Sequence, residues 1–263
     1  MKVSIVTICY NGVQYLEQTI HSVLQQTYPD IEYIIIDGGS TDGSIELIKK
    51  YQDKIYYWIS EPDGGISDAF NKGIRVCTGE IIGLINCDDW FELDAVEKVV
   101  AAAKANSNAE VFYGNMQTWE NGAKGMFTLP GDQIADLKYE MILNHPSCFA
   151  KKKAYDQQGL FLTDFRYAMD YELMLRFYLR GVQFKYIDDY LANMRNGGAS
   201  DLHWLGAYKE IYRAHQLHLK SKFLPCLNFI FKSIRTALRI VLNKCGLHFI
   251  VVAFRCIQSR KKY

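Results

Sequence analysis

Two adjacent aspartates, Asp88 and Asp89, follow an apolar run at 81–85 and the pair Asn86-Cys87 in the stretch EIIGLINCDDWF. Neighbouring carboxylates repel, and burial at a strand end raises their pKa values. A divalent cation removes both problems. Mg2+ and Mn2+ are held by oxygen ligands, often one or two carboxylates, with water and substrate phosphates completing the shell. A cation placed there can bridge a diphosphate and take up charge as it leaves. The plainer alternative is helix capping, with Asp88 or Asp89 as N-cap of a helix beginning near Leu93 and Glu92 in its first turn.

Other residues offer related chemistry. Asp37 ends the run IEYIIID just before the turn cluster GGSTDGS. It could accept hydrogen bonds from a base or ribose, or close an Asx-turn. In EPDGGISDAFNKGI, the backbone N–H groups after Asp63 could face a phosphate at a helix N-terminus, with Lys72 adding charge. A Pro-Asp-Gly turn with a solvated lysine explains the same residues. Asp170 and Glu172 open the segment MDYELMLRF. Two residues apart on a helix they face different ways, so one could serve as a general base, or both could simply favour the helix dipole. His145, before Pro146, reads first as a hydrogen-bonded structural histidine.

These residues need a frame. KVSIVTICY, IEYIIID, KIYYWIS and EIIGLIN read as strands, and helical spacing or turn signals separate them. The β-α alternation predicts an open, doubly wound, mostly parallel sheet, whose ligands bind outside the strand carboxyl ends. The segment Thr7 to Asn11, Asp37 and Asp88-Asp89 all fall on that rim. Further on, AEVFYGNMQTW, NHPSCFAKK and VQFKYIDDYL predict strands. Helices are expected over MDYELMLRFYLR, with Met169, Leu173, Phe177 and Leu179 on one side, and over 202–218.

Composition narrows the class. The chain has 263 residues, 49% of them hydrophobic, enough for one large domain with an appendage. No apolar run reaches the roughly 18 residues of a spanning helix, and the opening MKVSIVTICYN has no leader-like pattern. Seven scattered cysteines without a CxxC pair argue against a disulfide framework or a zinc site, and for a reducing compartment. The formal net charge of +1 hides a division. Residues 209–263 hold 12 Lys+Arg and one acid, Glu210, against 18 basic and 28 acidic residues before them. An amphipathic helix is expected at 227–243, with Phe231, Ile234 and Leu238 on its apolar face. A basic helix of this kind suits an anionic lipid surface; the alternative packs it on the body. The predicted divisions are 1–105 and 106–218 as halves of one domain, then a basic segment 219–263.

Together these motifs resemble the family 2 glycosyltransferases. SIVTICYNGVQYLEQTIHSVLQQTYPDIEYIIIDGGSTDGS is similar to the family's opening strand, Y-N turn, helix and D-G-S-T-D-G turn. SEPDGGISDAFNKGI with TGEIIGLINCDDWF resembles its bacterial polysaccharide branch, and the likeness spans about 1–200. The resemblance implies a GT-A fold with the nucleotide-sugar site at the strand carboxyl ends, and C-terminal amphipathic helices beyond it. It implies inverting transfer of a hexose from a UDP-sugar, so that an α-linked donor gives a β-linkage. Thr7, Cys9 and Asn11 would line the nucleotide and Asp37 would meet the uracil or ribose. Asp63, Lys72, Asn86 and Asp89 would join them around the donor. Asp88 matches the last aspartate of the D-x-D motif and would hold Mn2+ or Mg2+; Asn86 stands where that motif has its first aspartate. Asp170 would be the base, with His145 and Glu172 near the acceptor. Arg195, Gly197, Gly198 and Ser200 would form a mobile loop near the donor phosphates. Implied partners are a polyprenyl-diphosphate-linked sugar acceptor and the inner face of a bacterial plasma membrane, with no nucleic acid. A nucleotidyltransferase, or a binding protein derived from the same fold, remains the alternative. The basic glycine-rich loop of the first is missing from CYNGVQYLEQ, and the second would be expected to lose its rim acids.

Overall fold

The computed structural model describes residues 1–120, 122–128, 134–196 and 203–219, together with Phe229, Ile230, Ser233, Ile234, Thr236 and Leu238. Four strands begin the sheet: β1 (Val3–Cys9), β2 (Ile31–Asp37), β3 (Tyr57–Ser60) and β4 (Ile81–Asn86), parallel in the order β3-β2-β1-β4. Helices α1 (Val13–Leu24), α2 (Ser44–Lys50) and α3 (Ile66–Val76) connect them. β1 and β2 are apolar on both faces because both faces are covered. Val6, Ile8, Ile34 and Ile36 pack toward Phe70 and Ile74 of α3. Val3, Ile5, Tyr33 and Ile35 pack toward Leu16 and Ile20 of α1 and Ile48 of α2.

The second half extends the same sheet. It adds β5 (Trp90–Phe91), α4 (Ala95–Ala105), β6 (Val111–Glu120), β7 (Ala123–Thr128), β8 (Cys148–Lys151), α5 (Lys152–Gln158), α6 (Met169–Leu179), β9 (Phe184–Arg195) and α7 (Trp204–His218). The order runs β3-β2-β1-β4-β8-β6-β9-β5, with β7 on β6. β8 enters antiparallel between β4 and β6, and β6 and β9 then run parallel. Strands β1, β2, β3, β4, β6 and β9 thus share one direction, so the sheet is mostly parallel and its two halves are continuous.

Three sequence expectations change. The helix expected near Leu93 starts at Ala95 with Asp94 as N-cap, and neither Asp88 nor Asp89 caps it; Trp90 and Phe91 instead pair with β9. α6 is not one-sided. Tyr171 to Phe177 are all buried while Leu179 is exposed, because α7 and α5 cover faces that a surface helix would give to water. Arg195, expected in a loop, is the last residue of β9. Gly197, Gly198 and Ser200 lie outside the described residues, as does nearly all of 219–263. Within that segment the described residues from Phe229 to Leu238 are helical. Thr236 is buried and bonds Tyr208 at 3.0 Å, while Ile230, Ile234 and Leu238 are exposed. No helix among the described residues is long and apolar enough to cross a membrane.

Candidate active site

β4 delivers its polar end as the pattern requires. Asn86 is the last strand residue, and Cys87 N–H still bonds Ile8 O of β1 at 3.0 Å. The chain then turns, with Asp89 N–H donating to Asn86 O at 3.2 Å. Thr19 of α1 pins the turn by donating to Cys87 O at 2.9 Å and Asp89 O at 2.6 Å. Both aspartates line one cavity, and Asp89, 2% exposed, also accepts the Arg195 backbone N–H at 3.1 Å and the Asn86 amide at 3.3 Å. Burial, with the Asp88 charge beside it, pushes Asp89 up to about 8. Burial also raises Asp88.

The guanidinium of Arg195 does little to neutralise them. It lies between the rings of Tyr15 and Trp90, 4.2 and 4.5 Å from their centres, and donates to Gln18 Oε1 at 2.5 Å and to the Asp88 main-chain carbonyl. The pair therefore remains short of positive charge in an oxygen-only donor set, which fits a hard divalent cation. Among the described residues no three His, Cys, Asp or Glu side chains cluster as ligands. Asp88 with Asn86 would supply the protein's share, and water and substrate phosphate the rest.

The same cavity is also lined by Asp170, His145, Arg166, Tyr167, Met169 and Phe70. Asp170 is the second residue of α6, where Oδ1 accepts the Tyr171 N–H at 2.7 Å. The His145 ring packs 5.6 Å from Phe70 and 6.3 Å from Phe161. Burial lowers its pKa and the Asp170 charge opposes that, so the neutral imidazole is favoured. Glu172 does not join the cavity. It is fully buried, 2.8 Å from Arg176 Nε and 2.7 Å from His218 Nε2. Burial would raise it, but these bonds outweigh that and hold it below its ordinary value. In place of the expected acceptor contact, Glu172 makes a buried ion pair with Arg176 within α6 and a hydrogen bond to His218 of α7.

At the rim of β1 and β2 the expected residues separate. Thr7 is fully buried and shares a hydrogen bond with Tyr33 at 3.0 Å; Cys9 is also buried. Neither lines an open surface. Asp37 is wholly buried and takes the N–H groups of Gly39 and Ser40 and the hydroxyls of Ser40 and Ser60, so in this conformation it builds the turn instead of facing a ligand. Asn11 is exposed at φ 50°, its Oδ1 accepting Thr41 N–H at 2.9 Å. Lys72 is turned to Glu61 at 2.8 Å and Asp68 at 3.7 Å. Asp63 fills the space left by Gly38: a Cβ there would sit 2.7 Å from its Oδ2. Beside it stands Tyr10, a 68% exposed ring that belongs to the rim segment Thr7 to Asn11 but was given no role there. Its signal was a large aromatic at the end of a buried strand.

The family model Glycosyl transferase family 2 matches residues 4–160. An uncharacterized glycosyltransferase of Mycobacterium tuberculosis is 30% identical over 177 residues, 66% of this chain and 68% of that protein. Glycosyltransferase GlyA of Streptococcus pneumoniae is 30% identical over 161 residues, 60% of this chain, which spans only 22% of GlyA. A Bacillus subtilis glycosyltransferase assigned to teichuronic acid biosynthesis, TuaG, is 28% identical over 81% of this chain and 89% of its own length. Among solved structures, Staphylococcus aureus TarS with UDP superposes with a TM-score of 0.67 at 16% identity, covering 87% of this chain and 70% of TarS 1-349. A Pyrobaculum calidifontis mannosyltransferase with GDP-Man and Mn2+ gives 0.65 at 14%, covering 97% and 80%. At these identities the structures share the fold, GT-A.

Proposed function

The chain belongs to glycosyl transferase family 2 and is a glycosyltransferase, and from that premise we propose that it moves a hexose from a UDP-sugar to a sugar hydroxyl, with inversion. The observation that carries this reading is one cavity lined by Asn86, Asp88 and Asp170 together. Asp170 takes the proton of the acceptor hydroxyl as the acceptor oxygen attacks the anomeric carbon, whose bond to the phosphate oxygen breaks to release UDP. His145 and Tyr167 shape the acceptor wall. Asp89 holds the turn through Asn86 and the Arg195 backbone, so Asp88 keeps its aim. A bound Mn2+ or Mg2+, held by Asp88 with Asn86 as a neutral donor, would supply positive charge for the diphosphate. Mn2+ in the mannosyltransferase complex supports this.

The product would extend a cell-surface polysaccharide such as an O-antigen, capsule or exopolysaccharide, on an acceptor carried by a polyprenyl diphosphate. TuaG supports the polysaccharide class. The enzyme would work as a peripheral protein at the inner face of the membrane. Supporting this, Ile230, Ile234 and Leu238 share one helical stripe and are exposed, within a strongly basic segment. Ile234→Glu with Leu238→Glu should release the protein from anionic vesicles in a flotation assay; a mutant that floats like wild type ends the membrane reading. The transfer reading is tested by UDP release over a panel of UDP-sugars and sugar acceptors, with and without EDTA. Turnover that EDTA removes is expected. No turnover with any pair would favour a binding protein.

A further inference from the structure

α6 carries Asp170 but has no cap of its own. Its N-cap residue is Ala168, whose side chain bonds nothing. The first N–H groups of a helix lack intrahelical partners, and the end they form is positive. Here an acid from another helix takes the N–H of the N-cap residue Ala168 and of the two residues before it. The Glu210 carboxylate, in the middle of α7, accepts the backbone N–H of Arg166 at 2.9 and 3.0 Å, Tyr167 at 2.8 Å and Ala168 at 2.9 Å. Hydrogen bonds to an ionised acceptor are the stronger kind. Glu210 does not line the cavity, whereas Arg166, Tyr167 and Asp170 do.

A second contact between the same two segments is independent of charge. Gly206, one turn before Glu210, faces the Tyr167 ring, and a Cβ there would lie 2.8 Å from a ring carbon. Any side chain would push the ring away. His203 lies against the other part of that ring, with centres 5.2 Å apart. Glu210 and Gly206 of α7 thus hold the three residues that lead into α6. In the sequence Glu210 is the single acid among the last 55 residues, which marks it without saying what it touches.

We propose that Glu210 is a positioning residue for transfer: it fixes the segment 166–168 and through it the reach of Asp170 into the acceptor side of the cavity. The proposal rests on Asp170 being the acceptor base. A displacement of about 1 Å at a reacting group can cost on the order of 10²-fold. Glu210→Gln leaves one neutral oxygen to serve three N–H groups. Gly206→Ala displaces the same segment without touching the charge.

The test uses the full chain, with wild type, Glu210→Gln, Gly206→Ala and Asp170→Asn. Rates are measured with the donor and acceptor pair found in the UDP-release panel, alongside Tm and amide hydrogen exchange. Glu210→Gln and Gly206→Ala should each lower kcat by about tenfold or more with donor KM held within about twofold. Exchange at 166–171 should quicken while the Tm stays close to wild type. A folded Glu210→Gln with wild-type kcat overturns the proposal, and so does a donor KM that rises in step with the loss of kcat. An active Asp170→Asn sinks the base reading instead, and a panel without turnover sinks the transfer reading.

Discussion

Glu32 and Asp89 are each 2% exposed, at opposite ends of the same sheet. Glu32 sits at the amino end of β2, Asp89 just past the carboxyl end of β4. Burial alone would raise both carboxylates. For Glu32 that push is outweighed by Lys2, 2.5 Å away, by the hydroxyls of Ser4 and Thr78, and by the N–H groups of Thr78 and Gly79. Its pKa is held down to about 2. Asp89 has one backbone N–H, one side-chain amide and a like charge beside it, and stands at about 8. With the same side-chain exposure the outcomes are opposite: Asp89 is desolvated more deeply and has few partners, whereas Glu32 is held down by Lys2 and by hydroxyl and N–H donors. The amino end is built for stability, and the carboxyl end is left short of positive charge, where ligands of such sheets bind.

The sharpest way to break this comparison is Asp88→Ala against Asn86→Ala. The first should abolish transfer, by on the order of 10³-fold. The second should only weaken it, by about tenfold. Comparable losses in initial rate would mean the ligand is wrongly assigned. Next, Asp170→Asn should lower kcat by about 10²–10⁴-fold with donor KM unchanged. At the other end, Glu32→Gln should leave donor KM alone and cost on the order of 3 kcal/mol of stability, read as a Tm about 6–12 °C lower. Because the folded pKa is depressed, that stability is complete above the ordinary value of 4.5 and is lost as pH falls toward 2. Wild type and Glu32→Gln should therefore converge in acid denaturation curves. Smallest is Asp89→Asn. It should raise the metal-free Tm by a few degrees, since an amide there needs neither a bound proton nor a buried charge, while slowing transfer. A lower Tm would show that its two hydrogen bonds outweigh this gain.

The first half of the fold was legible almost to the residue. Buried parallel strands write themselves as apolar runs, so Asp37 and Asn86 mark their ends, and Ser44–Lys50 is the helix that the turn before it announces. Strand ends were legible as the rim, and Asp88, just past the end of β4, lines the cavity there. The site was misread where a residue on the rim points inward. Thr7 and Asp37 share the right end of the sheet with Asn11, but their side chains are consumed by Tyr33 and by the GGS turn. Glu172 and Arg195 were misplaced for a different reason. Their partners, His218 and the Tyr15–Trp90 pair, are far away in sequence, and no local pattern encodes such contacts. The Glu210 grip on α6 is of the same kind.

The central claim is that Asp88 completes a divalent-cation and diphosphate site at the carboxyl end of β4. It is tested most directly by the Tm of wild type and Asp88→Ala with UDP, with Mn2+, and with both. Ligand that binds only the folded state adds about 2.7 kcal/mol at 100 times its Kd. The account predicts that Mn2+ and UDP together raise the wild-type Tm by more than either alone, and that Asp88→Ala loses this increment. An equal Mn2+-dependent rise in Asp88→Ala, or none in wild type, would contradict it.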